Sequence, residues 1–178
     1  VPFKKESLFS NKPINFSLNK KTPTQDLKPI DVSCWSLTAW KRNEFLNKSM
    51  NLLLGSEDVC FVNNNASSLF LTLKTLKNNY DIKSVIISRG EIIEIGGSYR
   101  LPEIIQETEL KMVEVGTTNK TKITDYEKAL KENKNSLILK VHRSNFSING
   151  FVEEVDLKDL KSLTESQNSI LIHDLGSG

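Results

Sequence analysis

"SILIHDLGSG", residues 169–178, decides how this chain is read. Five residues of buried-strand character, Ser169 to His173, run into an aspartate and then into Gly-Ser-Gly. A short, almost wholly apolar run marks a strand covered on both faces, as in a parallel sheet. Similar runs recur upstream. "SVIIS" (84–88), "KMVEV" (111–115) and "SLILKVH" (136–142) read as strands, and "DVCFV" (58–62) is a further run rich in β formers. Between the runs lie helical stretches. They are "NASSLFLTLKTLKNN" (65–79), "GGSYRLPEIIQETE" (96–109, started or interrupted near Pro102), "TDYEKALKENK" (124–134) and "LKDLKSLTESQ" (157–167). Thr124 is the expected N-cap of the third, with Glu127 closing a capping box. Strands alternating with helices imply an α/β protein: a mostly parallel sheet, helices on both faces, and right-handed crossovers.

Outward from this core the chain changes character. Residues 1–30 carry prolines and few aliphatics, and read as an extended polar arm. Residues 31–56 hold one amphipathic helix, with Trp40, Phe45, Leu46, Met50 and Leu53 at helical spacing and Gly55 at its end. Residues 57–178 form the α/β domain. At 178 residues and 38% apolar content, one domain with a small extension is affordable. The net charge of +2 is too mild to argue for nucleic acid by itself. Cys34 and Cys60 form no CxxC pair, which reads as two reduced thiols and no zinc site. No run of 18 apolar residues implies a membrane span, the start lacks the form of a signal peptide, and no internal repeat is visible.

Ligands of open α/β sheets gather outside the carboxyl ends of the strands. The segments there are "NNNASS", "SRGEI", "GTTNKT", "HRSNFSING" and "DLGSG", most of them polar or glycine-bearing. Asn64, Asn65 and Ala66 open a helix, whose first amides suit a phosphate or merely carry an ordinary cap. Neither GxGxxG nor GxxxxGK[ST] occurs, so the usual dinucleotide and triphosphate sites are unsupported. Arg89 and Glu91 read as an anion site or as a surface ion pair. His142, Arg143, Ser144 and Asn145 follow a long apolar strand. Asp174 sits half-buried at a strand tip and so needs a partner. That partner is a protonated pyridine nitrogen, or the turn that the aspartate itself caps. His173 points to the opposite face of the strand.

Taken together, "EDVCFVNNNA" (57–66), "SRGEIIEIGGSYRLP" (88–102), "EVGTTNKT" (114–121), "KVHRSNFSINGF" (140–151) and "DLGSG" (174–178) resemble the bacterial selenocysteine synthases, the L-seryl-tRNA(Sec) selenium transferases. The resemblance implies a pyridoxal-5'-phosphate enzyme of the aspartate-aminotransferase-like fold, fold type I, of which residues 57–178 hold an incomplete large domain. It implies that Asn64, Asn65 and Ala66 cradle the cofactor phosphate. Asp174 would hold the pyridine nitrogen, with Ser144 and Asn145 near the ring and its oxygen. Arg89, Arg42 and Arg143 become candidates for an anionic selenium donor or a tRNA backbone.

The implied reaction is a β-replacement. Water leaves Cβ of tRNA-bound serine, and a selenium nucleophile from selenophosphate adds. The partners implied are tRNA(Sec), selenophosphate and further copies of the chain, in the cytoplasm and away from membranes. The family's cofactor-bonded lysine lies in a "SFSGDK"-like stretch beyond "DLGSG", and no such stretch occurs here. Nor does the family's "ATGTVLHTNLGR"-like stretch or its longer N-terminal domain. The 178 residues alone are therefore expected to be inactive, with unpaired sheet edges where later strands would insert. Two alternatives stay open: a relative with the same cofactor and another amino-acid substrate (a lyase or aminotransferase-like protein), and a degenerate, non-enzymatic module.

Overall fold

A computed structural model describes residues 52–53, 55–56, 59–95 and 97–176. The expected arm (1–30), the expected helix up to residue 51, and Arg42 with it lie outside the described residues. Leu52 and Leu53 are helical, and Gly55 follows with φ +64°.

Two compact units divide the chain, Val1–Ser68 and Leu69–Gly178. In the first, residues 59–62 form no strand, against the expectation for "DVCFV". No strand of the described residues includes them, and a run outside a ladder lacks the pairing that keeps a strand extended. Asn64 then turns the chain into a helix. Its Oδ1 accepts from Ser67 N–H at 2.7 Å, and its carbonyl accepts from Ser68 N–H at 3.0 Å. Helix α1 spans Asn65–Tyr80 and buries Leu69 and Leu73.

The second unit carries the sheet. In order come β1 (Ser84–Ser88), a 3-10 turn (Arg89–Glu91), β2 (Glu94–Ile95), β3 (Tyr99–Arg100) and α2 (Leu101–Glu107). Then follow β4 (Lys111–Val115), α3 (Ile123–Glu132), β5 (Ser136–Val141), α4 (Leu157–Ser166) and β6 (Ile170–Asp174). The large sheet has the order β4-β1-β5-β6, and every pairing is parallel. β1 and β5 are its inner strands. Val85, Ile86, Ile87, Leu137, Ile138 and Leu139 are fully buried, which explains their unbroken apolar runs. The outer strands β4 and β6 are only partly buried.

On one face, Ile86, Val113, Ile138 and Leu171 stand in register. Against them pack Tyr126, Ala129 and Leu130 of α3 and Leu160 and Leu163 of α4. Burying each such aliphatic side chain stabilises by about 1.5–3 kcal/mol. The other face carries Val85, Ile87, Leu137 and Leu139 and is equally dry.

Each helix-to-strand passage uses one left-handed residue other than glycine. Asp81, Glu109, Asn135 and Asn168 have φ of 52°, 62°, 57° and 50°, and they precede β1, β4, β5 and β6. Asparagine and aspartate tolerate that region best after glycine.

Helix α2 starts at Leu101 with Pro102 in its first turn, one of the two outcomes expected for that stretch. The residues before it form the antiparallel pair β2–β3 instead. Helix α3 begins at Ile123, so its N-cap is Lys122 and not Thr124. Asp125, not Glu127, reaches back to accept from Lys122 N–H at 2.8 Å. The reason is a long-range contact: Thr121 is buried, and its hydroxyl lies 2.7 Å from that of Ser88, which pins the chain just before the helix.

Candidate functional site

The carboxyl ends of β5 and β6 build the site. Asp174 closes β6 and is 7% exposed. Its register partner on β5 is Val141, so the two side chains share a face, while Lys140 and His173 share the other. Beyond the strands the backbones stay tied. His142 N–H donates to the Asp174 carbonyl at 2.9 Å, and Ser144 N–H donates to the His142 carbonyl at 3.0 Å. Asp174 Oδ1 accepts from Gly176 N–H at 2.9 Å, which makes the turn an Asx turn. Gly176 has φ +61°, and a Cβ there would stand 2.7 Å from Ser144 Oγ. Only glycine lets the two loops touch. Ser144 therefore joins the Asp174 loop. Asn145 reaches elsewhere: its Nδ2 donates to the Glu94 carbonyl of β2 at 2.7 Å.

The arginines of the second unit are engaged in ion pairs. Arg89 Nε donates to Glu114 at 2.9 Å, and Arg143 Nη2 donates to Glu154 at 2.7 Å. The ion pair expected between Arg89 and Glu91 is not formed. The 3-10 turn sends Arg89 outward and Glu91 inward, where it is 3% exposed. Glu91 Oε1 accepts from Lys140 Nζ at 2.6 Å, and Oε2 accepts from Val141 N–H at 2.9 Å. Lys140 Nζ also lies 3.7 Å from Glu154, so Glu91, Lys140, Glu154 and Arg143 alternate in sign along the rim. Removing one member of the buried Glu91–Lys140 pair would cost roughly 3–5 kcal/mol, because its partner charge would be left buried. Tyr126 lies behind this pair. Burial, and next the negative charge of Glu91, push its phenol above the ordinary tyrosine range, against a hydrogen bond to Ser88. Sequence reasoning passed over Lys140 altogether, and a lysine inside an apolar strand was the available signal.

The "EVGTTN" stretch works as a clamp. Gly116 turns with φ +69°, Thr117 N–H donates to the Lys120 carbonyl at 2.7 Å, and Asn119 Nδ2 donates to the Phe151 carbonyl at 2.7 Å. Lys120 Nζ sits 3.4 Å from the centre of the Phe151 ring and pairs with Glu153. An open cleft of about 520 Å³ is lined by Lys140, His142, Arg143, Phe146, Glu154 and His173, among others. Lys140 and His173 stand on the strand face away from Asp174, so the cleft is not the place to which the Asp174 carboxylate points. No group of three potential metal ligands occurs among the described residues, and none of their helices is long and apolar enough to cross a membrane.

With this geometry in hand, the family model and the curated relatives agree on one family. The family model described as L-seryl-tRNA selenium transferase matches residues 36–178. The chain is 47% identical over 138 residues to the L-seryl-tRNA(Sec) selenium transferase of Sulfurimonas denitrificans, covering 78% of this chain and 30% of that protein. It is 44% identical over 161 residues to the enzyme of that name from Wolinella succinogenes, covering 86% and 35%. It is 50% identical over 131 residues to the one from Campylobacter jejuni subsp. jejuni serotype O:23/36, covering 74% and 29%. The chain thus spans about a third of the length of the curated relatives it matches. Among solved structures, a D-glucosaminate-6-phosphate ammonia-lyase superposes with a TM-score of 0.58 at 16% identity, over 76% of this chain and 40% of that one. That likeness concerns the fold. It agrees with the α/β architecture read from the sequence, and with the aspartate-aminotransferase-like, fold type I class that the family resemblance implies. A family match over residues 36–178 and close relatives of a single name lead to one conclusion: this chain belongs to the L-seryl-tRNA selenium transferase family.

Proposed function

We propose that the chain is the part of a pyridoxal-phosphate-dependent selenium transferase that holds the ring end and the phosphate end of the cofactor. The complete enzyme would convert seryl-tRNA(Sec) to selenocysteinyl-tRNA(Sec), using selenophosphate as donor. One observation carries the reading. In a chain of this family, a buried carboxylate stands at the tip of β6, and a backbone bond, a neighbouring amide and a glycine-only contact hold it there.

The residues present fit the cofactor's ring nitrogen. Asp174 Oδ1 is occupied by an amide, so the carboxylate is oriented rather than mobile, as a partner for a protonated heterocycle must be. When bound, the cofactor supplies an electron sink for loss of the Cα proton of the seryl group. This chain's own residues bind and orient. Asp174 keeps the ring nitrogen protonated. Asn64 caps helix α1, which fixes the first-turn backbone of Asn65 and Ala66 for the phosphate. Ser144 lies against the Asp174 loop, and Asn145 braces its own loop on β2. Arg143 and Arg89, with Arg42, are assigned to the anionic donor or the tRNA backbone. Each of the first two would exchange a glutamate for that anion. Lys140 faces away from Asp174 and is committed to Glu91, so it is not the lysine bonded to the cofactor. Residues 57–178 are assigned to the cofactor domain, in a cytoplasmic homo-oligomer.

The test uses the complete gene product. Asp174→Asn keeps an acceptor for Gly176 N–H and removes the charge. Its thermal midpoint should stay close to the parent's, while its visible cofactor band shifts and conversion of seryl-tRNA(Sec) collapses. Undiminished conversion by Asp174→Asn would overturn the assignment.

A further inference from the structure

The buried carboxylate of Glu91 has a place in the sheet that no strand fills. β1 pairs with β5 from Ser84↔Ser136 to Ile87↔Leu139, and after Ser88 its backbone leaves in the 3-10 turn. β5 continues to Val141. On that stretch Val141 N–H donates to Glu91 Oε2 at 2.9 Å, and Lys140 Nζ donates to Oε1 at 2.6 Å. The side chain thus stands in for the strand that has ended, and satisfies a donor that would be costly to bury alone. The turn that presents it cannot slide. A Cβ on Gly90 would lie 2.5 Å from the Thr118 carbonyl oxygen, and Ser88 is held to Thr121. One residue beyond Val141, His142 N–H holds the Asp174 carbonyl at 2.9 Å.

We infer that Glu91 is a positioning residue. It fixes the carboxyl end of β5, and through the His142–Asp174 backbone bond it fixes the carboxylate that receives the cofactor ring. The inference rests on the reading of Asp174 given above, and it assigns Glu91 no contact with substrate or cofactor.

Two double variants of the complete gene product separate charge from ladder. Glu91→Gln/Lys140→Met loses the ion pair but keeps an oxygen for Val141 N–H. Glu91→Leu/Lys140→Met loses both. Amide hydrogen exchange at Val141 and His142 and the affinity for pyridoxal phosphate are measured on each, with thermal denaturation to verify folding. In the leucine variant, both amides should exchange faster by about tenfold or more, with weaker cofactor binding. The glutamine variant should remain near the parent in both. Should the leucine variant not fold, Glu91→Asp carries the same comparison, since its shorter carboxylate keeps a charge for Lys140 but falls short of Val141. Faster exchange at Val141 with His142 unchanged overturns the inference. So does unchanged cofactor affinity in a variant that frees both amides, provided Asp174→Asn weakens binding. If Asp174→Asn also binds the cofactor like the parent, the proposed function itself falls.

Discussion

Gly116→Ala tests the clamp formed by "EVGTTN". Gly116 has φ +69°, where an L residue costs about 1–2 kcal/mol. The added methyl would stand 2.7 Å from the Lys120 carbonyl oxygen and nearer still to Thr121 Oγ1. Neither atom is the loose end of a long side chain. The first is backbone, and the second is held to Ser88. Overpacking of this kind costs about 1–3 kcal/mol. Against this, loss of glycine's freedom in the unfolded chain returns about 0.4–1 kcal/mol. The net loss is then roughly 1.5–4 kcal/mol, a large share of the 5–15 kcal/mol typical of a folded domain. With a urea slope near ~2 kcal/mol per molar, the unfolding midpoint should fall by about 1–2 M. Gly150→Ala is the control. Its φ is +99° and nothing lies within 4 Å of the added carbon, so it carries the backbone cost alone. The difference between the two midpoints measures the contact. Equal midpoints would refute the reasoning.

Other consequences are as direct. Hydrogen bonds from Lys77 and then Lys74, with their charges, hold the Glu109 carboxyl at about 2, well below its usual range. A depressed carboxylate contributes stability that is present above its unfolded value and lost as pH falls from about 4.5 towards 2. The thermal midpoint of Glu109→Gln should accordingly vary less over that window than the parent's. Tyr126 should keep its proton beyond the ordinary tyrosine range in an alkaline ultraviolet titration, because burial raises it. Its raised value means the unfolded chain releases that proton first, so its contribution fades as pH climbs past about 10. Tyr126→Phe should cost about 1 kcal/mol by urea denaturation through the lost bond to Ser88. Asn168→Val should lower stability by about 1–2 kcal/mol, since a β-branched residue meets φ 50° there, while Asn168→Gly should not destabilise.

The strands at 84–88 and 111–115 match their sequence readings residue for residue, and β5 and β6 match to within one residue. Strands of a parallel sheet covered on both faces are mostly apolar, and that pattern survives in one dimension. Asp174 was legible as a buried carboxylate at a strand tip, and the turn it caps was one of the two partners the sequence allowed. What stayed hidden depends on distant partners. Glu91 reads as a rim residue beside Arg89, yet its partner Lys140 is 49 positions away, and only the 3-10 turn aims it inward. The β2–β3 pair has two residues per strand, too short for any period to show. The N-cap of α3 was misplaced by two residues because Ser88, far upstream, holds Thr121.

The tie between His142 and Asp174 bears on the order of events during folding. It joins segments about thirty residues apart, and among the described residues β6 is paired with β5 alone. Closing so long a segment must be paid in chain entropy before any contact rewards it. The acid at the lip of the sheet therefore acquires its bearings only when β6, the last of the described strands in chain order, pairs with β5. A nascent chain halted at α4 would carry every apolar layer of β1 and β5 and still have no place to seat a ring.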